Sequence, residues 1–397
     1  MPRRVSFDGG EDSLIDKGKL DDLIDSLVAT TKEEIGEKAL ASAIQVALGS
    51  PLLCLYSRAQ GCCDLEEGVD TQAPPGGTNQ AVSETTPFDI ASLTKPLVGA
   101  TLAMIAVEEG RIELDTPIRE VFAPWKEASK EAREISFLDL LSHSSGLPAW
   151  RKFYLEYPLD PDPETARRTG DEVLGQLLQT KLEGAPGKRH CYSDLGFLLL
   201  KSVLEALFPE ARLEDLARER IFLPLDMKNT TYVSLFRGDS RLEEAVVTEF
   251  CPLRSRLIRG EVHDENTNII GGVSTHAGVF STALDLLRFG QHLLAIDRGD
   301  MPENPLVSRE VLHQFWSSDL DVPGSHLGGW DRPSGKRSSA GRFFSPRHTV
   351  GHLGFTGTSI WLERQRGIVS IFLSNRVYPS RGNQAIKGAR VAFQEAF

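Results

Sequence analysis

The chain has 397 residues, enough for one large domain or two ordinary ones. Its composition, 40% hydrophobic and 25% charged, fits a soluble globular protein and excludes a disordered or fibrous one. A formal net charge of -12 argues against nucleic acid or an anionic membrane as the main partner, and is silent about small molecules.

The opening MPRRVSFDGGEDSLIDKG has two arginines with no apolar run behind them, so a cytoplasmic chain without a secretory signal is expected. Apolar stretches such as Phe197–Leu200 are too short to span a bilayer. The five cysteines, Cys54, Cys62, Cys63, Cys191 and Cys251, are odd in number and form no Cys-x-x-Cys, which points to reduced structural thiols. The nine histidines form no His-x-His and no His-Glu-x-x-His, so neither a catalytic metal nor another cofactor is expected.

In chain order, Leu20, Leu23, Ile24, Leu27 and Val28 predict an amphipathic helix within residues 1–40, continuing or restarting through Ile35. Ala43–Ser57 reads as a turn and strand, and Leu65–Glu84 as a loop. A helix starts near Ser92 and stops at Gly110. Another follows Ser136 and ends in the polar turn Ser142–Pro148. Further helices are predicted over Gly170–Leu182, Leu195–Leu207, Leu213–Phe222 and Thr282–Ala295, the last with Ser281 as its cap. Ile269–Phe280 is glycine-rich and should pass close to a neighbour. The runs SIWLER and GIVSIFLS, joined by Gln365-Arg366-Gly367, suit an antiparallel hairpin, and Gln384–Phe397 a final helix.

Strand material at both ends and helices between predict an α+β fold. An antiparallel sheet flanked by helices is built from both chain ends, with an inserted all-α domain. The expected division is 1–86 and 281–397 for the α/β part and 87–280 for the helical part.

Three stretches carry chemistry. Ser92-Leu93-Thr94-Lys95 is a Ser-x-x-Lys at a helix start, which puts hydroxyl and amine one turn apart. Pro96 limits how far upstream a regular helix begins, so Ser92–Lys95 suits a tight 3₁₀ turn. A neighbouring lysine of lowered pKa can activate a serine. Taken alone, the same residues fit an ordinary helix start with an exposed lysine. Tyr192-Ser193-Asp194 sits in a turn before a helix, where a phenol can exchange a proton with a serine, or an Asp can simply cap the helix. Gly351-His352-Leu353-Gly354-Phe355-Thr356-Gly357-Thr358 is a glycine-dense strand entry that lets backbone approach a ligand.

Together, in this order, these motifs resemble the serine β-lactamase and penicillin-binding-protein superfamily. The nearest match is its class C β-lactamase-like branch, with its esterases, D-aminopeptidases and low-molecular-weight penicillin-binding proteins. That family carries Ser-x-x-Lys, Tyr-x-Asn and Lys-Thr-Gly or His-x-Gly, matched here by Ser92/Lys95, Tyr192/Asp194 and His352/Gly354. The likeness extends through LLSHSSGLP, PGKRHCYSDLGFLLL and GEVHDENTNIIGGVSTHAGVFST, from about Phe88 to the end.

The resemblance implies a β-lactamase/transpeptidase-like fold and a serine hydrolase working through an acyl-enzyme. Ser92 would be acylated, with Lys95 or Tyr192 as its base. Tyr192 would return the proton to the leaving group. The backbone N–H groups of Ser92 and Phe355 would form the oxyanion hole, each worth roughly 3 kcal/mol. Two departures matter. Asp194 replaces the usual asparagine, which should keep Lys95 protonated and shift the base role toward Tyr192. His352 replaces the third-motif lysine and is largely neutral at pH 7, which weakens the case for a β-lactamase or D-Ala carboxypeptidase. Arg376 can supply the missing charge, Trp330 can stack on a sugar or acyl group, and Gly354 can approach the substrate. His143 and His276 are expected to be structural.

The expected activity is hydrolysis of an amide in a small substrate, such as a cell-wall muropeptide, in the manner of an N-acetylmuramyl-L-alanine amidase. Alternatives are a carboxylesterase, a β-lactamase or D-Ala carboxypeptidase, and a degenerate binding or assembly protein. No nucleic-acid or membrane partner is expected. The sequence is silent on oligomeric state.

Overall fold

The computed structural model describes residues 15–65, 80–300, 302–335 and 338–397. Part of the predicted N-terminal helical region and most of the predicted Leu65–Glu84 loop lie outside these residues.

Five strands form the main sheet: β1 (Ala43–Gly49), β2 (Cys54–Gly61), β3 (Thr349–Gly354), β4 (Thr358–Glu363) and β5 (Ile368–Ser374). Their order is β2-β1-β5-β4-β3, antiparallel throughout. Ile44 lies opposite Ser374, so the two ends of the chain meet at the centre of the sheet. This is the α+β architecture that the sequence predicts.

Every residue of β1 is buried, because helices cover both faces. Ile44, Val46 and Leu48 point to one side, against Leu20 and Ile24 of helix Lys17–Leu27 and Phe393 of helix Ile386–Gln394. Ala43 and Ala47 point to the other, into the core shared with Leu286, Phe289 and Leu293 of helix Ala283–Arg298. Gly290 lets that helix approach β5, since a Cβ there would press on Val369.

The middle of the chain is mostly helical. It also carries strands, which the expected all-α insertion did not include: Phe88–Asp89, Thr231–Tyr232 and Val279–Ser281 form a small second sheet, and Val247–Cys251 pairs with Arg256–Arg259. Tyr232 and Val233 are the close neighbours of the glycine-rich run, packing against Gly278 and Gly272.

Several boundaries differ from expectation. The first helix ends at Leu27, because Val28 turns extended and bridges to Ala41. The helix predicted over Gly170–Leu182 runs from Pro163 to Leu178, with Asp162 as its cap. Thr282, not Ser281, caps helix Ala283–Arg298, accepting from the backbone N–H of Asp285. Ala91–Glu108 is by length and composition apolar enough to cross a membrane, a run longer than the sequence reading recognised. It is 83% buried inside the protein, as the helix at the centre of the core.

Candidate active site

The turn around Ser92 is held from two directions. Ala91 adopts φ 47°, a left-handed conformation that costs a non-glycine residue energy. The buried Asp89 carboxylate compensates by accepting from the Ala91 backbone N–H at 2.8 Å. From the other side, Thr356 Oγ1 donates to the Asp89 carbonyl at 2.7 Å and Thr358 Oγ1 to the Ile90 carbonyl at 3.0 Å. The two threonines of GFTGTS therefore clamp the serine turn to the β3–β4 hairpin, where Phe355 sits.

The 3₁₀ turn expected over Ser92–Lys95 is shorter and begins one residue earlier, at Ala91–Leu93, while Lys95 opens a π-helical segment, Lys95–Ala100. Lys95 is fully buried. Its Nζ donates to Ser92 Oγ at 3.0 Å, to Asp194 Oδ1 at 2.7 Å and to the His276 carbonyl at 3.4 Å. Burial alone would lower the Lys95 pKa, but the Asp194 carboxylate, with Tyr192, outweighs it and raises it.

Ser193, rather than Asp194, caps helix Asp194–Leu207, because its Oγ accepts from the Gly196 backbone N–H at 3.1 Å. That leaves the Asp194 carboxylate for Lys95. Lys95 Nζ lies 4.8 Å from the centre of the Tyr192 ring. Burial pushes the Tyr192 phenol above its ordinary pKa, against the pull of Lys95; Asp194 adds to the rise, while hydrogen bonding to Lys95 and Ser92 opposes it. Lys95 thus rests as an ammonium and Tyr192 as a phenol.

His352 lies on β3 and is buried, with its Nδ1 2.8 Å from the Leu353 carbonyl. Burial, helped by Lys95, pushes its pKa down to about 3, so it supplies no positive charge. Ser92, Tyr192, Asp194, His352, Gly354, Phe355 and Arg376 line one cleft of ≈ 650 Å³. Phe355 is 48% exposed at its edge. Gly354 also has a packing reason, since a Cβ would collide with Thr358 and the Ile90 carbonyl. The Arg376 guanidinium faces the cleft but is engaged by the carbonyls of Phe355, Arg381 and Asn383.

Trp330 is a correction. It is fully buried, 5.6 Å edge-on to Trp316 and 6.0 Å from Phe289, in the core behind the cleft. The glycines beside it fold the loop inward, so its indole cannot stack on a substrate. His143 and His276 do make the structural hydrogen bonds expected of them: His143 Nδ1 accepts from Ser193 N–H, and His276 bonds Ser274 Oγ and Asp264.

Sequence reasoning missed other cleft residues: Asp264, Glu265, His326, Arg381 and Arg390. Arg390, on the last helix, donates to the carbonyls of Gly354 and Thr358 and so holds the β3–β4 turn from behind. Asp264 and Glu265 lie within the stretch GEVHDENTN that carries part of the likeness, though nothing in it singled them out; His326, Arg381 and Arg390 belong to no local motif and reach the cleft only through the tertiary fold.

The β-lactamase family model matches residues 68–393, and the chain belongs to this family of serine hydrolases and penicillin-binding proteins. It is 28% identical over 344 residues to an Escherichia coli O157:H7 protein provisionally named a D-alanyl-D-alanine carboxypeptidase, covering 81% of this chain and 75% of that one. It is 28% identical over 312 residues to an N-acetylmuramyl-L-alanine amidase of Bacillus subtilis (strain 168), covering 73% and 68%. The solved structure of EstCE1, a hydrolase with promiscuous acyltransferase activity, superposes with a TM-score of 0.65 at 18% identity, covering 94% of this chain and 99% of that one.

Proposed function

We propose that the protein hydrolyses an amide of a small substrate through an acyl-enzyme on Ser92, and that its substrates are cell-wall muropeptides. The observation that carries this reading is the 3.0 Å contact of Lys95 Nζ with Ser92 Oγ beneath the Tyr192 ring.

In the resting state Lys95 is charged and cannot accept a proton. The base is then the Tyr192 phenolate, a minor form that the Lys95 ammonium stabilises. It takes the Ser92 hydroxyl proton as Oγ bonds to the substrate carbonyl carbon. The Ser92 and Phe355 backbone N–H groups meet the oxyanion. Tyr192 passes the proton to the leaving amine as the C–N bond breaks, and the same exchange with water releases the acid.

The amidase relative supports the amide and the muropeptide. The cleft supports it too: Asp264, Glu265, Arg376, Arg381 and Lys387 line it, charges of both signs that suit a peptide fragment bearing amine and carboxylate. The five thiols are all free, which suits a reducing cytoplasm. A carboxylesterase is the second reading, favoured by the neutral His352, which gives no fixed cation for a substrate carboxylate. A β-lactamase or D-Ala carboxypeptidase is disfavoured by the same residue.

The test is turnover of N-acetylmuramyl-L-alanine, p-nitrophenyl butyrate and nitrocefin by wild type and Ser92→Ala. Release of L-alanine that disappears in the variant is expected. Ester turnover without L-alanine release selects the esterase, and nitrocefin turnover the β-lactamase. A folded wild type that turns over none of them and takes no fluorophosphonate on Ser92 is a binding protein.

A further inference from the structure

Three imidazoles from distant parts of the chain meet beside Tyr192. His143 follows helix Phe137–Leu141, His326 lies in the loop before β3, and His352 is on β3. One ring nitrogen of each lies within 4.8 Å of one from both others. All three are buried. Their ring centres stand 4.4, 5.4 and 5.9 Å from that of Tyr192, in the order His143, His326, His352.

The backbone dictates two of the tautomers. The Ser193 N–H donates to His143 Nδ1 at 3.0 Å, so neutral His143 carries its own proton on Nε2. His352 Nδ1 faces a carbonyl, so it holds the proton and leaves Nε2 as a bare acceptor. Neither Nε2 has a protein partner among the described residues. His326 is braced by His190, Nδ1 to Nε2 at 3.0 Å. Burial, reinforced by one another and by Lys95, keeps His143 and His326 below the ordinary histidine range, so the cluster is uncharged.

A buried donor and a buried acceptor in one cluster each cost energy until filled. A hydroxyl fills both, accepting from His143 Nε2–H and donating to His352 Nε2. A divalent cation fits less well, since it needs three lone pairs and His143 presents an N–H.

We propose that His143, His326 and His352 form the acyl-acceptor subsite, which seats the hydroxyl of water or of a small alcohol beside Tyr192. This inference rests on the acyl-enzyme reading. In the reaction the seated hydroxyl gives up its bond to His352 Nε2 and turns that proton, or water its second proton, to the Tyr192 phenolate. The phenolate takes it as the hydroxyl oxygen bonds to the acyl carbon. The bond from that carbon to Ser92 Oγ breaks, and Tyr192 returns the proton to Oγ. His326 is a positioning residue in this step.

The experiment uses p-nitrophenyl butyrate with the full chain, with and without methanol, for wild type, His326→Leu and His326→Gln. The burst of p-nitrophenol reports acylation and the steady state reports deacylation. In His326→Leu the burst rate stays within about threefold of wild type while deacylation falls about tenfold or more, and acyl-enzyme accumulates on Ser92. The yield of methyl butyrate falls with that of butyrate. His326→Gln, which keeps a polar group and guards against misfolding, recovers part of the loss. Deacylation at the wild-type rate in either folded variant overturns the subsite. So does one equivalent of zinc in the purified protein that is lost in His326→Leu. No butyryl mass on wild-type Ser92 overturns the acyl-enzyme reading instead.

Discussion

Lys95 Nζ and Asp194 Oδ1 stand 2.7 Å apart, in an ion pair whose lysine has no solvent exposure and whose aspartate keeps 22%. The pair fixes the protonation of the site. A lysine with a carboxylate at contact distance stays charged, and the phenol above it becomes the group that must lose a proton.

Replacing Asp194 by Asn removes the charge that raises both Lys95 and Tyr192. The sign follows directly. Wild-type kcat/KM rises as Tyr192 deprotonates, above the ordinary tyrosine range, and in Asp194→Asn that rise moves to lower pH by about one unit. A pH profile with p-nitrophenyl butyrate measures it; an unmoved alkaline limb would assign the base elsewhere.

Tyr192→Phe removes the proton carrier and leaves the packing against His143 largely in place. It lowers kcat by about 10²–10⁴-fold, with little change in thermal stability. Steady-state kinetics and a melting curve separate the two effects.

Trp330→Ala tests the correction at the core. Loss of a fully buried indole against Trp316 and Phe289 costs about 3–5 kcal/mol of stability. At a temperature where the variant remains folded, KM stays at the wild-type value. A raised KM at full stability would return the indole to the substrate.

Glu249 is buried and bonded to His263 and Arg381. Burial pushes its pKa up, yet those partners prevail and bring it down to about 2. A depressed carboxylate stabilises the fold above its unfolded pKa and loses that contribution as pH falls through the folded one. Glu249→Gln therefore costs roughly 2–3 kcal/mol at pH 7, and the gap to wild type closes between about pH 4.5 and pH 2. Urea unfolding along that range reads it out; a constant gap would mean the loss is one of shape, not charge.

Local patterns carry well into three dimensions where neighbours in sequence are neighbours in space. The Ser92–Lys95 spacing and the Ser136 cap are of this kind. The strand expected within Ala43–Ser57 is found as β1, which only the fold shows to be covered on both sides. Trp330 misled because exposure depends on which way a glycine-rich loop folds, and composition does not encode that direction. The capping residue at Asp194–Leu207 turned on one hydrogen bond, Ser193 Oγ to Gly196 N–H.

The sequence by itself determined the three motifs, their order, and the two departures at Asp194 and His352 that set the charge of the site. Those are properties of residue type and short spacing, which the chain holds before it folds. Only the tertiary structure decided that Asp194 spends its charge on Lys95, that Thr356 and Thr358 clamp the serine turn, and that His143, His326 and His352 meet beside Tyr192. Those contacts join segments up to hundreds of residues apart, and sheet register and core packing alone bring them together.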